Sequence, residues 1–309
     1  MQKYLSIILS LLIVTGVFLY VKNLKESALL TKKVEYNIGS FTTQRSCSRQ
    51  PNFLKKLRIN SPVAIDLSQQ NYKGLAFLYG QNLSQAVHLK TWEQFDHFST
   101  YALTAKGDMF LSPMPYISIK KKTFEFQKNI YKLHSNSGKL EVWMSLEDVH
   151  VGSNNPYGVI SLEYDCDDNS LWVSAIDETD YAHNRGVIYH IDVATKQILQ
   201  KVEGVDALSL KLIKSERGKF LLYGSARENA LYAYEIVQKK LLTKTLKLLD
   251  LADTTGRIRK IILSSSNTLK LQTIPFSYSL IAQTQEGSIR QNYVLQWNKE
   301  LKSWNLLKK

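Results

Sequence analysis

The sequence predicts an all-β protein. The expected architecture is a β-propeller of four-stranded antiparallel blades, five recognisable and a sixth allowed for, preceded by one N-terminal hydrophobic helix. Three observations lead there. Beyond residue 60 the apolar residues recur with period two, the spacing of a strand with one buried face. The alternating segments recur as whole units in a constant order. The chain opens with an uncharged apolar run unlike anything downstream.

That run, Leu5 to Val21, is 17 residues long and lies between Lys3 and Lys22. As a helix it extends about 25 Å, the lower end of a bilayer core. Its C-terminal end, Phe18-Leu19-Tyr20-Val21, is bulky. A cleaved signal would end in small residues, and Tyr20 suits a membrane interface. Residues 1–24 are therefore read as a membrane anchor or uncleaved signal. The rest of the chain is expected on the far side of a bacterial inner membrane, in the periplasm. The alternative is a secreted or periplasmic protein released by cleavage. Lys22, Lys25, Lys32 and Lys33 argue the other way under the positive-inside rule, but large domains translocate largely regardless of charge. Residues 25–60 read as a juxtamembrane extension, with a short strand over Tyr36–Phe41, and residues 61–309 as the propeller domain.

Within that domain Val187, Tyr189, Ile191 and Val193 alternate with Ile188, His190 and Asp192. Tyr232, Tyr234 and Ile236 alternate with Leu231, Ala233 and Glu235, and Tyr293, Leu295 and Trp297 with polar neighbours. β-branched and aromatic residues dominate, as strands prefer. Residues 237–251 read as a further strand region. Each unit runs through a short apolar strand, at Leu75–Tyr79, Asp108–Leu111, Leu171–Ser174, Phe220–Tyr223 and Leu280–Gln283. A second strand then starts near Val87, Ile130, Ile188, Leu231 and Val294, at intervals of 43, 58, 43 and 63 residues. A polar turn and a last strand follow, as at Leu140–Trp143, Ile198–Lys201, Leu242–Leu246 and Ser303–Leu306. Another strand precedes the unit, as at Gly158–Tyr164, Leu208–Ile213 and Arg259–Leu263. One such sheet cannot bury its apolar faces alone, whereas sheets stacked round an axis can. A sandwich or barrel gives similar alternation, and the recurrence of whole units favours the propeller. The 63-residue interval leaves room for a sixth unit, with 268–274 and 279–284 as its strands.

The stretch Tyr164-Asp165-Cys166-Asp167-Asp168-Asn169-Ser170-Leu171-Trp172-Val173-Ser174, followed by Val187-Ile188-Tyr189-His190-Ile191-Asp192, resembles a blade of the NHL and SMP-30 (gluconolactonase)-like propellers. The likeness covers about residues 158–202. Asp168 stands where such blades have glycine, and His190 replaces their usual basic residue. The resemblance implies a blade and leaves the activity open, since these folds serve binding proteins and enzymes alike.

The chain carries 40 Lys and Arg against 27 Asp and Glu, a net charge of +13. No basic helix, zinc finger or RNP-like strand accompanies this excess, so a nucleic-acid partner is not expected. The two cysteines, Cys47 and Cys166, are open to two readings: one disulfide in an exported domain, or two separate thiols. Two long insertions fall between the second and third strands of their blades and should share one end of the disc. One spans Pro113–Asn129 and carries Tyr116, Lys120, Lys121 and Lys122. The other spans Asp177–Gly186 and carries Asp177, Glu178, Asp180, Tyr181, His183 and Arg185. Long loops on a rigid scaffold are where recognition usually sits, so these ten residues form the expected binding face.

The function expected is an envelope-anchored binding or scaffold protein that recognises a protein, peptide or cell-envelope ligand, with no catalytic residues and no cofactor. The alternative implied by the resemblance is a hydrolase or lactonase using Ca2+ or another divalent metal, for which Glu163, Asp165 and Asp180 are the candidate ligands. The run Asp165, Asp167, Asp168 and Asn169 offers oxygen ligands but lacks the glycine and terminal glutamate of an EF-hand, and reads as a turn. None of the six histidines has zinc-site spacing, and no nucleophile elbow, phosphate-binding loop or dinucleotide fingerprint is present. A channel mouth rich in carboxylates would favour the metalloenzyme, and a carboxylate-poor channel would favour binding.

Overall fold

A computed structural model describes residues 36–41, 47–68, 70–114, 124–152, 155–180, 182–251, 256–265, 267–278 and 290–308. The apolar run Leu5–Val21 lies outside them. Among the described residues no helix is long and apolar enough to cross a membrane.

Among the described residues nineteen strands form five antiparallel sheets in chain order. The first holds β1 (Ala64–Asp66), β2 (Ala76–Tyr79) and β3 (Gln85–Val87). The second holds β4 (Phe98–Leu103), β5 (Met109–Pro113), β6 (Asn129–Leu133) and β7 (Leu140–Ser145). The third runs through β8 (Val159–Asp165), β9 (Ser170–Ala175), β10 (Val187–Asp192) and β11 (Ile198–Glu203). The fourth runs through β12 (Ala207–Ser215), β13 (Gly218–Ser225), β14 (Ala230–Val237) and β15 (Lys240–Asp250). The last comprises β16 (Gly256–Ser265), β17 (Thr268–Pro275), β18 (Gln291–Asn298) and β19 (Ser303–Lys308). Each sheet is a meander, and its first strand lines a common central cavity. The architecture is a five-bladed β-propeller.

The burial pattern explains why the blades stack. Strand β9 is buried at every position, whereas β11 alternates between half-buried and exposed. The middle strands are covered by neighbouring blades on both faces, and the outer strand meets solvent on one. Separate apolar layers fill the spaces between blades. Phe77, Leu111 and Tyr131 join the first two blades, Phe110, Leu162 and Tyr189 the second and third, Trp172, Leu212 and Tyr234 the third and fourth, and Phe220, Ile258 and Tyr293 the last two. The closest approach is at Gly224 in β13. A Cβ there would stand 2.1 Å from the Ile258 carbonyl oxygen of the next blade. Gly224→Ala should therefore push two blades apart and destabilise the fold by about 1–3 kcal/mol in urea titration. A change under a few tenths of a kcal/mol would mean that the blades do not meet there.

Three sequence expectations need correction. The strand paired between β16 and β18 is Thr268–Pro275, and Leu280–Gln283 lies outside the described residues. The segment 268–274 thus belongs to the fifth blade. The first blade has three strands among the described residues. Behind them Trp92 is buried against Phe77 and Phe53, its indole N–H donating to the Gly138 carbonyl at 2.9 Å.

The third correction concerns the extension before residue 60, whose described part packs on the propeller. Over Tyr36–Phe41 there is a single bridge, Phe41 to Ser215, in place of a strand. Phe41 stacks on Trp304 with ring centroids 5.3 Å apart. Its N–H donates to Asn267 Oδ1 at 2.7 Å, and the Ser40 hydroxyl donates to Glu216 at 2.9 Å. Farther on, Arg49 N–H donates to the Thr104 carbonyl at 3.1 Å. A short helix, α1 (Asn52–Lys56), then seats Phe53 and Leu54 in the core, with Phe53 N–H donating to the Ser135 carbonyl at 2.7 Å.

Candidate functional site

The two ends of the propeller differ. Strands alternate in direction, so the turns from first to second strand share one end with those from third to fourth. The N-terminal extension binds that end throughout: Glu216 lies in the β12–β13 turn, Asn267 in the β16–β17 turn, Thr104 in the β4–β5 turn and Ser135 in the β6–β7 turn. Cys47 is joined by a disulfide to Cys166 in the β8–β9 turn, with the Cα atoms 6.2 Å apart and a sequence separation of 119. Ser48, the next residue, lines the central cavity. The extension is thus stapled over one mouth of the channel.

The opposite end carries the connections between blades and the loops from second to third strand. Both predicted insertions are there, joining β5 to β6 and β9 to β10, and they flank the β7–β8 connection. The first ends in a 3-10 turn, Glu125–Lys128, and Lys128 C=O accepts from Leu146 N–H at 3.0 Å. The second begins at Asp177, which accepts from the His150 backbone N–H at 2.6 Å and from its ring at 3.0 Å. The β17–β18 connection, which holds Phe276 and Tyr278, leaves β17 on the same end.

Asp206 organises this end. It sits in the β11–β12 connection, is buried, and accepts four hydrogen bonds from three directions. Thr179 Oγ1 donates at 2.8 Å and Gly186 N–H at 2.9 Å from the β9–β10 loop. Arg227 Nε donates at 3.1 Å from the β13–β14 loop, and the Tyr278 hydroxyl at 2.7 Å from the β17–β18 loop. One carboxylate therefore fixes three loops on three blades. Charge-assisted bonds of this kind, with few lone pairs left bare, are what make a buried carboxylate tolerable. Burial, the Asp206 charge and this hydrogen bond push the Tyr278 hydroxyl well above the usual tyrosine range, so it stays a donor.

Of the predicted binding face, Tyr116, Lys120, Lys121, Lys122 and Tyr181 lie outside the described residues. Asp177, Glu178, Asp180, His183 and Arg185 are together on the β9–β10 loop, and most of them bond to each other or to the loop itself. Asp180 is exposed and accepts from Ala182 N–H at 2.7 Å and His183 N–H at 2.6 Å, with the His183 ring at 3.1 Å. Arg185 stands 3.9 Å from Glu178. The His183 hydrogen bonds hold the Asp180 pKa down to about 2. Because its folded value is depressed, the turn's contribution is complete above the unfolded value near 3.8 and is lost as pH falls from there through about 2. An NMR titration of the Asp180 side-chain carboxyl should give a midpoint near 2. A midpoint near 3.8 would mean the turn is not formed in solution.

The candidate metal ligands do not assemble. Glu163 accepts from Lys211 Nζ at 2.6 Å inside the channel. Asp165 is at the end of β8, where it bonds Lys219 and takes the Trp172 indole N–H at 3.4 Å. Asp180 is at the far end of the blade. Among the described residues no three His, Cys, Asp or Glu side chains cluster as a metal site. The acidic run at 165–169 is a hairpin turn, with Asn169 in the left-handed region at φ 55° and its side chain accepting from the Tyr164 hydroxyl at 2.8 Å. Next to it His190 stacks on Trp172 at 3.8 Å and bonds Ser170 Oγ at 2.7 Å, while Ser170 Oγ donates to Asp168 at 2.5 Å. All four are buried or nearly so, and none of them lines the central channel. The group braces the blade.

The channel itself has a volume of about 950 Å³. Its chemistry is basic: among the described residues Lys211, Arg259, Lys260 and Arg290 line it against one carboxylate, Glu163. Arg259, on β16, reaches across the axis. Its Nη1 donates to the Leu208 carbonyl of β12 at 2.7 Å and to the Ile160 carbonyl of β8 at 3.5 Å, and its Nη2 donates to Ser99 Oγ of β4. Four inner strands thus meet at one guanidinium. Burial lowers its pKa to about 10, so it remains a cation at neutral pH. Above it Phe276 packs on Tyr157 at 5.1 Å and edge-on to Tyr278 at 5.3 Å.

No protein-family model matches the chain, and no curated protein matches it. Among solved structures it is similar to a glucose dehydrogenase, with 16% identity over 68% of this chain and 72% of that one and a TM-score of 0.39. A second glucose dehydrogenase matches at 13% identity over 68% and 74%, with a TM-score of 0.41. A structure from a study of prolyl endopeptidases matches at 10% identity over 80% of this chain and 42% of that one, with a TM-score of 0.39. The resemblance of residues 158–202 to NHL and SMP-30-like blades stands on those residues alone.

Sequence reasoning missed Asp206, Arg227, Tyr278 and Arg259. A signal existed for the last. Arg259 lies within an apolar alternation on a first strand, and in a propeller that places a charge on the channel wall.

Proposed function

We propose that this chain is an envelope-anchored binding protein. Residues Leu5–Val21 hold it to the membrane, and the propeller presents its loop-bearing end to a ligand on the exported side. The observation that carries this reading is the lining of the channel: basic and apolar, with one carboxylate among the described residues, already committed to Lys211. That composition suits capture of a ligand better than metal-assisted hydrolysis, which needs several free carboxylates at the mouth. Two further observations support it. The disulfide between Cys47 and Cys166 belongs to an oxidising compartment. The N-terminal extension, which would lead from the membrane, covers the end opposite the long loops.

The test is location. The full chain, produced in a bacterial host with a C-terminal tag, should stay with the membrane fraction after high-salt washing. Protease added to spheroplasts should digest the propeller while cytoplasmic markers survive. A propeller protected in intact spheroplasts would overturn the reading.

A further inference from the structure

We infer that the central channel is a binding site for a small organic anion, a carboxylate or phosphate ester with a ring or apolar body, held by Arg259. The inference rests on the reading that the loop-bearing end is the open, recognising end.

A guanidinium has five N–H donors. The contacts of Arg259 occupy both protons of Nη1 and one of Nη2. The Nε–H and the second Nη2 proton have no acceptor among the described residues. No described carboxylate pairs with the charge, although Glu163 lines the same channel and is held by Lys211. The Nε–Nη2 edge of arginine is a fork that accepts the two oxygens of a carboxylate or phosphate side by side. The three bonds to other blades hold that fork in place, so little side-chain entropy is lost when an anion arrives. A cation in a cavity without its counter-charge gains more from an anion than an exposed lysine does, because the walls displace screening water.

The surroundings define the rest of the ligand. The channel volume lies within the range that holds small molecules, and the stapled extension at the far mouth favours a ligand that ends inside over a threaded polymer. Tyr157 and Phe276 line the channel toward the loop-bearing end and offer ring surface to an apolar or cyclic body. Arg290 adds positive potential at the loop-bearing end and Lys260 adds it deeper in the channel.

The test uses the full chain in detergent with its disulfide intact. Benzoate and phenyl phosphate are the probes, phenol is the neutral analogue, and inorganic phosphate is the bare anion. Calorimetry should show saturable binding of at least one ring-bearing anion and none of phenol. Inorganic phosphate alone should bind more weakly. Arg259→Lys keeps the positive charge and loses the fork, so it should weaken binding about tenfold to a hundredfold. Should that variant fail to fold, the wild-type chain still decides the matter. Amide NMR shifts caused by phenyl phosphate should centre on Ser99, Ile160, Leu208 and Arg259. No saturable heat from either anion, shifts confined to surface lysines, or undiminished binding in a folded Arg259→Lys would each overturn the site. So would an acidic peptide that binds through Arg259 where both small anions fail. A propeller found on the cytoplasmic side would overturn the envelope reading and leave this binding result standing.

Discussion

Asp206→Ala is expected to cost about 3–5 kcal/mol of unfolding free energy, the range for removing one partner of a buried, hydrogen-bonded charge pair. The loss follows from geometry. Arg227, Thr179, Tyr278 and the Gly186 amide all donate to this one side chain, and alanine would remove that shared acceptor from all four. The effect should also be local before it is global. Limited proteolysis of the variant under native conditions should cut the β9–β10 loop near 180 and the β17–β18 loop near 278 long before the strands. Asp206→Asn keeps the shape and part of the hydrogen bonding and should cost less. A loss under about 1 kcal/mol for the alanine variant would mean the three loops are held by something else.

Cys47→Ser is the second large effect. The disulfide closes a loop whose ends are 119 residues apart in sequence, and such cross-links typically contribute about 2–5 kcal/mol. Urea titration of Cys47→Ser, Cys166→Ser and the double variant should give nearly the same midpoint for all three, well below the oxidised parent. Adding reductant should move the parent to that midpoint and leave the variants in place. Three different midpoints would show that the cysteines act separately.

The sequence made much of this fold legible, and the reasons are local. Strands such as β10, β14 and β18 are legible because their β-branched and aromatic residues alternate with smaller or polar ones. The β9–β10 insertion was placed on the correct end by counting strands, since direction in a meander follows from order alone. The strand Thr268–Pro275 was recognised, but its blade was not. Leu280–Gln283 has the same apolar period, and period two does not say which strand pairs with which.

The site was less legible for a different reason. Asp206 draws donors from loops at 179, 227 and 278, and Arg259 reaches backbone at 160 and 208 and a side chain at 99. No window of adjacent residues contains such a set. The N-terminal extension shows the same limit. Polar, with one proline, it reads as a linker, yet Phe41, Phe53 and Leu54 are buried against turns and strands far away in sequence. The acidic residues around Asp180 stood out in the sequence because they are adjacent, and adjacency is what lets them cap their own turn.

The extension stapled at one mouth of the channel is what distinguishes the two ends of the propeller. Hydrogen exchange of the oxidised full chain tests this most directly. The amides of Phe41, Arg49 and Phe53, whose acceptors lie on turns of other sheets, should be protected, and reduction of the disulfide should release Arg49 first while the amides of β9 and β13 stay closed. Free exchange at Arg49 and Phe53 with the disulfide intact would mean that the extension does not cover that mouth, and the distinction between the two ends would fall.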